Sequence, residues 1–143
     1  MTLPILTLPV DTGQDLVAVR RRAHEISSAL GFGQQDCVRV ATAVLEIARN
    51  ALAHANGGRV SFEVEGDALP QLLTVRVVDA GRGMPDPASQ PAGEGLVAAR
   101  RLMDQCVVDS TPGAGTTVIL KKTMPERAPV VTVETIKALT ARF

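Results

Sequence analysis

The 143-residue sequence has no tryptophan, no tyrosine and only three phenylalanines, Phe32, Phe62 and Phe143. Proteins that hold single-stranded nucleic acid stack its bases on aromatic rings, and almost none are available here. Neither sign of charge is in excess. The 15 basic and 15 acidic residues cancel, so no overall field draws in DNA, RNA or anionic lipid. Nucleic acid and membrane surfaces are thereby set aside as partners. Cysteine is scarce as well. Cys37 and Cys106 are too few and too far apart for a disulfide scaffold or a zinc site, and read as small buried thiols in a reducing compartment. No apolar run approaches the roughly 20 residues of a membrane span. The opening stretch, Met1 to Val10, lacks a basic region and is broken by Pro4 and Pro9. It reads as an edge strand rather than a signal peptide, and a cytoplasmic location is expected.

What the chain does have is ample Val, Leu, Ile and Ala, enough for one domain with a substantial core. Asp11 is placed as the N-cap of a helix over about 12–30, with Leu16, Val19, Ala23, Ile26 and Leu30 as its apolar stripe and Gly31 as its stop. Arg20, Arg21 and Arg22 interrupt it with a basic cluster, read as a solvated face or as a dock for an acidic partner. A second helix starts at Asp36 or a neighbouring Gln and turns Val38, Ala41, Val44, Leu45, Ala48 and Leu52 to the core, before Asn56-Gly57-Gly58 ends it.

Val60, Phe62 and Val64 alternate with polar residues, as do Leu73, Val75 and Val77, so these strands should pair as a hairpin around 66–70. Residues 80–93, rich in Gly, Pro, Ala and Ser, read as a mobile loop. A third helix over about 94–104 turns Leu96, Ala99 and Met103 inward, and strands at 107–110 and 116–120 close the pattern. The expected fold is α+β: a two-layer α/β sandwich with a mixed, mostly antiparallel sheet covered on one face by helices. Past Lys122 the composition shifts. Residues 1–122 are expected to form the domain and 123–143 a linker and short amphipathic helix, with Val133, Ile136, Leu139 or Thr140, and Phe143 on its stripe. So short a helix is marginal alone, and must dock on its own domain, a twin chain or another partner.

Glu46 and Asn50 lie one helical turn apart on one face. A carboxylate and an amide oxygen so placed suit a hydrated Mg²⁺ and a hydroxyl beside a phosphate. Alone, such a pair is more often a solvated helix face. Asp79, ending an apolar strand, would alone be an ordinary turn-former, and Gly81-Arg82-Gly83 is a weak signal by itself. His24, in Ala-His-Glu-Ile, only faintly echoes a phospho-acceptor box. The order of the motifs is what adds weight.

Residues 46–54 resemble the N box of the GHKL ATPases (the gyrase, Hsp90 and histidine-kinase type), Asp79-Ala-Gly-Arg-Gly-Met84 their G1 box, and Gly93-Glu-Gly-Leu96 a shortened G2 box. The nearer resemblance is to the small serine/threonine kinases of bacterial partner switching, the anti-sigma factors and stressosome switch kinases. It rests on Glu-Ile-Ala-Arg-Asn, on Arg-Arg-Leu-Met-Asp at 100–104, and on the Asp-Ser-x-Pro-Gly-x-Gly-Thr-Thr-Val run at 109–118.

The resemblance covers about residues 5–122 and implies the Bergerat ATP-binding fold. It implies Asn50 as the Mg²⁺ ligand and Glu46 as the general base, acting chiefly by positioning. Asp79 would accept the adenine amino group, with Gly81, Gly83 and Met84 beside the purine. Gly93, Gly95 and Leu96 would begin a lid at a helix N-terminus facing the phosphates, and Thr117 would lie near the adenine. His54, one turn past Asn50, reads either as a phosphate contact or as a surface helix histidine. ATP and Mg²⁺ are the implied cofactors. A STAS-domain antagonist is the implied substrate, with a PP2C-type phosphatase or a sigma factor as output partner and a homodimer as a further possibility. The alternative is an ATP-binding anti-sigma factor or phosphatase-activating module with little or no catalysis. It stems from Glu94, an acid standing in the glycine run.

Overall fold

The computed structural model describes residues 1–55, 57–79, 94–111 and 115–143. Along the chain run β1 (Thr2–Val10), α1 (Gly13–Ala29), α2 (Gln34–Ala55), β2 (Gly58–Glu65), β3 (Leu72–Asp79), α3 (Glu94–Leu102), β4 (Gln105–Thr111), β5 (Gly115–Thr123) and α4 (Val133–Thr140). The strands form one sheet in the order β1-β2-β3-β5-β4. All four ladders are antiparallel, so the parallel pair of a mixed sheet is absent among the described residues. The proline-broken first strand lies at an edge, where a missing N–H costs no ladder bond. The proposed loop at 80–93, Asn56 and the turn residues 112–114 lie outside the described residues.

The helices cover one face of the sheet. Val60, Phe62 and Val64 of β2, Leu73, Val75 and Val77 of β3, and Val118 and Leu120 of β5 point into them and are almost fully buried. The residues between them face the other side, where Glu63 pairs Arg76 and Glu65 pairs Lys121, each at 2.7 Å. α1 packs on α2, α2 on α3, and α2 crosses β2, β3 and β5. No described helix is long and apolar enough to cross a membrane.

Two local expectations need correction. Thr12, not Asp11, caps α1. Its hydroxyl accepts from the Asp15 N–H at 3.2 Å, while the Asp15 carboxylate accepts from the N–H groups of Thr12 and Asp11. The reciprocal spacing of a capping box selects Thr12. In α2, Val38 is 49% exposed. It sits about 200° round the helix from Val40, which is wholly buried against the core, so the two cannot share a face. The true stripe runs through Cys37, Val40, Ala41, Val44, Ile47, Ala48 and Ala51, and its alanines let neighbouring layers approach closely.

The tail docks on its own domain. Gln71, wholly buried, donates to the carbonyls of Gly66 and Val131 and accepts from the Val131 N–H at 2.7 Å. Met124 and Ala128 are buried on the way, and Thr132 caps α4. Ile136 then enters the core over β1, and the Arg22 guanidinium lies 6.0 Å from the Phe143 ring centre. Val133 is exposed and leaves the anticipated stripe.

Candidate active site

Glu46 and Asn50 occupy consecutive turns of α2, and both are half-buried. The turn that holds them meets the first turn of α3 at Gly95. A Cβ built on Gly95 would stand 3.1 Å from Asn50 Nδ2 and 3.3 Å from Glu46 Oε2. Only a residue without a side chain fits there unless the amide or the carboxylate moves. Gly95 thus brings the N-terminal turn of α3 up to an acid and an amide. The other Glu46 oxygen, Oε1, accepts from Arg49 Nη1 at 3.0 Å. Arg49 is largely solvent-exposed, so this i,i+3 pair orients the carboxylate more than it stabilises the fold.

The end of α2 leads directly to the second part of the site. The Gly57 N–H bonds the Ala51 carbonyl, and Gly58 then pairs with Val10 on one side and Asp79 on the other. A Cβ on Gly58 would overlap the Val78 carbonyl, so the backbones lie too close for any other residue. Asp79 closes β3 on the helix-covered side, in phase with Val75 and Val77. Its Oδ1 accepts from the Thr116 N–H at 3.2 Å, and the Thr116 hydroxyl lies 2.9 Å from that of Ser110.

This register moves one expected residue. Thr117 stands opposite Val78 and Asp109, on the face away from the helices, whereas Thr116 stands opposite Asp79. Val118 and Leu120 are core residues, so strand alternation already selects Thr116 of the two threonines. Thr116, Ser110 and Gly58 are the members of this cluster that the sequence reading passed over. Ser110 follows from its pairing with Thr116, which sequence alone does not give. In sequence Gly58 reads only as a helix stop.

The remaining expected residues divide. Leu96 is buried with Ala99 and Met103 in the core, where it anchors α3 beside Gly95 rather than presenting a polar contact. His54 is exposed, one turn beyond Asn50. Gly81, Gly83, Met84 and Gly93 lie outside the described residues. Cys37 and Cys106 stand apart from the site. Burial pushes both thiols up from their ordinary value, with Asp36 adding to the effect at Cys37 and Arg100 opposing it at Cys106. Both are therefore held as poor nucleophiles.

The donor set suits a hard cation. Among the described residues no group of three or more His, Cys, Asp or Glu gathers into a cage. Asn50 and Glu46 offer oxygen ligands only, the kind that Mg²⁺ accepts while keeping most of its water and binding phosphate. The backbone of Gly95 packs directly against the Asn50 amide and the Glu46 carboxylate.

Three comparisons show which known proteins the chain is similar to. Residues 9–122 match the model for the histidine kinase-like ATPase domain. The chain is 34% identical over 116 residues to the serine/threonine-protein kinase RsbT of Bacillus subtilis, covering 75% of this chain and 87% of that one. It is 31% identical over 101 residues to an anti-sigma F factor of Caldanaerobacter subterraneus, covering 62% of this chain and 71% of the relative. The crystal structure of the RsbU and RsbW domains of Rv1364c from Mycobacterium tuberculosis superposes with a TM-score of 0.64 at 24% identity, over 92% of this chain. This chain spans 35% of that structure's length, and the likeness shows the shared fold.

Proposed function

Since the chain belongs to the histidine kinase-like ATPase domain family, we propose that it is an ATP-dependent protein serine/threonine kinase of a bacterial partner-switching system. The observation that carries this reading is the fit of Gly95 against Glu46 and Asn50. It brings a carboxylate, an amide and a helix N-terminus together at one point, an arrangement suited to phosphoryl transfer. Similarity to a serine/threonine-protein kinase over most of both chains supports it.

ATP would supply the phosphoryl group, and a bound Mg²⁺ would screen its charge. Asn50 would hold the metal, and the first turn of α3 offers N–H groups to the phosphates. Glu46, steadied by Arg49, orients the acceptor hydroxyl and takes its proton. Asp79 accepts from the amino group of adenine, with the Thr116 hydroxyl and the bare backbone of Gly58 beside it. Little covalent chemistry is asked of the protein, and positioning contributes most of the rate. Residues 1–122 carry these groups, and 123–143 form an appended brace.

The proposed substrate is a seryl or threonyl residue of a STAS-domain antagonist, and the output partner a PP2C-type phosphatase or a sigma factor. Resemblance to an anti-sigma F factor keeps a binding module without turnover as the second reading. The test is incubation of the purified chain with Mg·ATP and STAS-domain proteins encoded near its gene. Phosphoserine or phosphothreonine on one of them supports the kinase. Nucleotide binding without transfer to any would favour the binding module.

A further inference from the structure

A concavity lies between the outward sides of α1 and α2, apart from the contact of Gly95 with Glu46 and Asn50. It encloses about 410 Å³ and is lined chiefly by Val17, Arg20, Arg21, His24, Val38 and Thr42. Val17 is 68% and Val38 49% exposed, two β-branched side chains that the fold leaves in water on facing helices. The rim is basic although the whole chain is neutral. Glu25 is the one acid lining it, and it is shared between Arg21 at 3.8 Å and Arg22 at 2.9 Å. Among the described residues no carboxylate lies within ion-pair distance of Arg20. An apolar floor with a net basic edge, on which Arg20 has no carboxylate partner among the described residues, is complementary to a helix that carries an apolar stripe flanked by acids. The trough between two packed helices has the shape that accepts the side-chain ridge of a third.

The groove also points somewhere. Thr42, which lines it, lies four residues before Glu46 on the same side of α2, about 6 Å along the helix axis. A segment bound in the groove would therefore place its continuation at the carboxylate assigned as the base. We propose that the α1–α2 groove docks the protein substrate, by an acidic amphipathic helix beside the residue that receives the phosphoryl group. This rests on the kinase reading for the identity of the occupant, and on the groove alone for its chemistry.

Two measurements test it on the full chain. The first is an NMR titration with a synthetic helical peptide bearing a leucine stripe flanked by glutamates, and with its lysine-flanked twin. The glutamate peptide should perturb residues 17–24 and 38–42, with affinity roughly tenfold weaker in R20E/R21E and in V38D, and weaker again as salt rises. No perturbation of the groove, or equal binding of the lysine twin, overturns the proposal. So does a concentration-dependent dimer in sedimentation that V38D abolishes, since the groove would then belong to a second copy.

The second measurement is steady-state phosphotransfer. R20E/R21E should raise KM for the protein substrate roughly tenfold while kcat and Mg·ATP affinity stay at wild-type values. An unchanged KM overturns the proposal. If the wild-type chain transfers phosphate to no protein, the kinase reading fails, and the peptide titration still decides what the groove binds.

Discussion

At Gly95 the protein places a hydrogen where any other residue would bring a carbon 3.1 Å from Asn50 and 3.3 Å from Glu46. Gly95→Ala separates stability from function. Alanine is the better helix former by about 0.5–1 kcal/mol, so the melting temperature should hold or rise. Mg·ATP affinity should nevertheless fall as the amide is displaced. An alanine variant with wild-type affinity by isothermal titration would show that the space beside Asn50 is not a ligand site. The two adjacent threonines offer a paired test. Thr116→Val should weaken nucleotide binding, whereas Thr117→Val, on the far face, should leave it unchanged. The reverse result would place the purine elsewhere. The EIARN run and Asp79 were legible in sequence because their chemistry is local, a helical spacing and a strand end. Gly95's contact was not, since it joins residues 45 and 49 positions apart along the chain.

Among the elements, α1 and α4 show what sequence periodicity can and cannot settle. The apolar stripe of α1 was readable and is buried, but its cap was assigned one residue early. Thr12→Ala should cost about 1 kcal/mol in chemical denaturation, while Asp11→Ala should cost only a few tenths. Equal losses would return the cap to Asp11. For α4 the spacing of Ile136 and Leu139 announced a docking helix but not its dock. That choice is made by Gln71, whose amide is buried three strands into the sheet order and meets Val131 across 60 positions of sequence. Ile136→Ala removes a core side chain and should destabilise by about 2–4 kcal/mol. Its sedimentation mass should remain that of wild type, because the helix packs on its own β1. A change in mass with no loss of stability would mean that the tail serves another chain. Val38 escaped the periodicity for a different reason. Three helical spacings were available in so apolar a helix, and only packing against α1, α3 and the sheet selects one.

Across the whole molecule, one layer of helices is held against a sheet whose far side carries the ion pairs Glu63–Arg76 and Glu65–Lys121. Glu65 lies within it. Its hydrogen bond to Lys121, aided by Thr74, holds its carboxyl below the ordinary value against a smaller opposing effect of burial. The unfolded chain therefore takes up the proton first as pH falls, and the folded state loses this contribution as pH drops through the lowered value. Above the ordinary carboxylate range the contribution is complete. Glu65→Gln should accordingly reduce stability modestly at neutral pH and flatten the acid limb of a denaturation profile. A variant with an unaltered acid limb would show that the pair is solvated and idle. The layered fold itself was legible, because alternating strands and periodic helices in this order leave few architectures.

The same frame sets the proposed nucleotide site toward the C-terminal end of α2, and the division of labour proposed there is open to direct measurement. In Glu46→Gln the side chain keeps its shape and its place against Gly95 but loses the acceptor for the hydroxyl proton. Mg·ATP affinity and the single-turnover rate of phosphotransfer to a STAS-domain substrate should be measured side by side on this variant and on wild type. The expected result is affinity near wild type with transfer slowed by about 10²–10⁴-fold. Equal loss of binding and transfer, or transfer at the wild-type rate, would contradict the assignment of Glu46 as the base of a protein kinase.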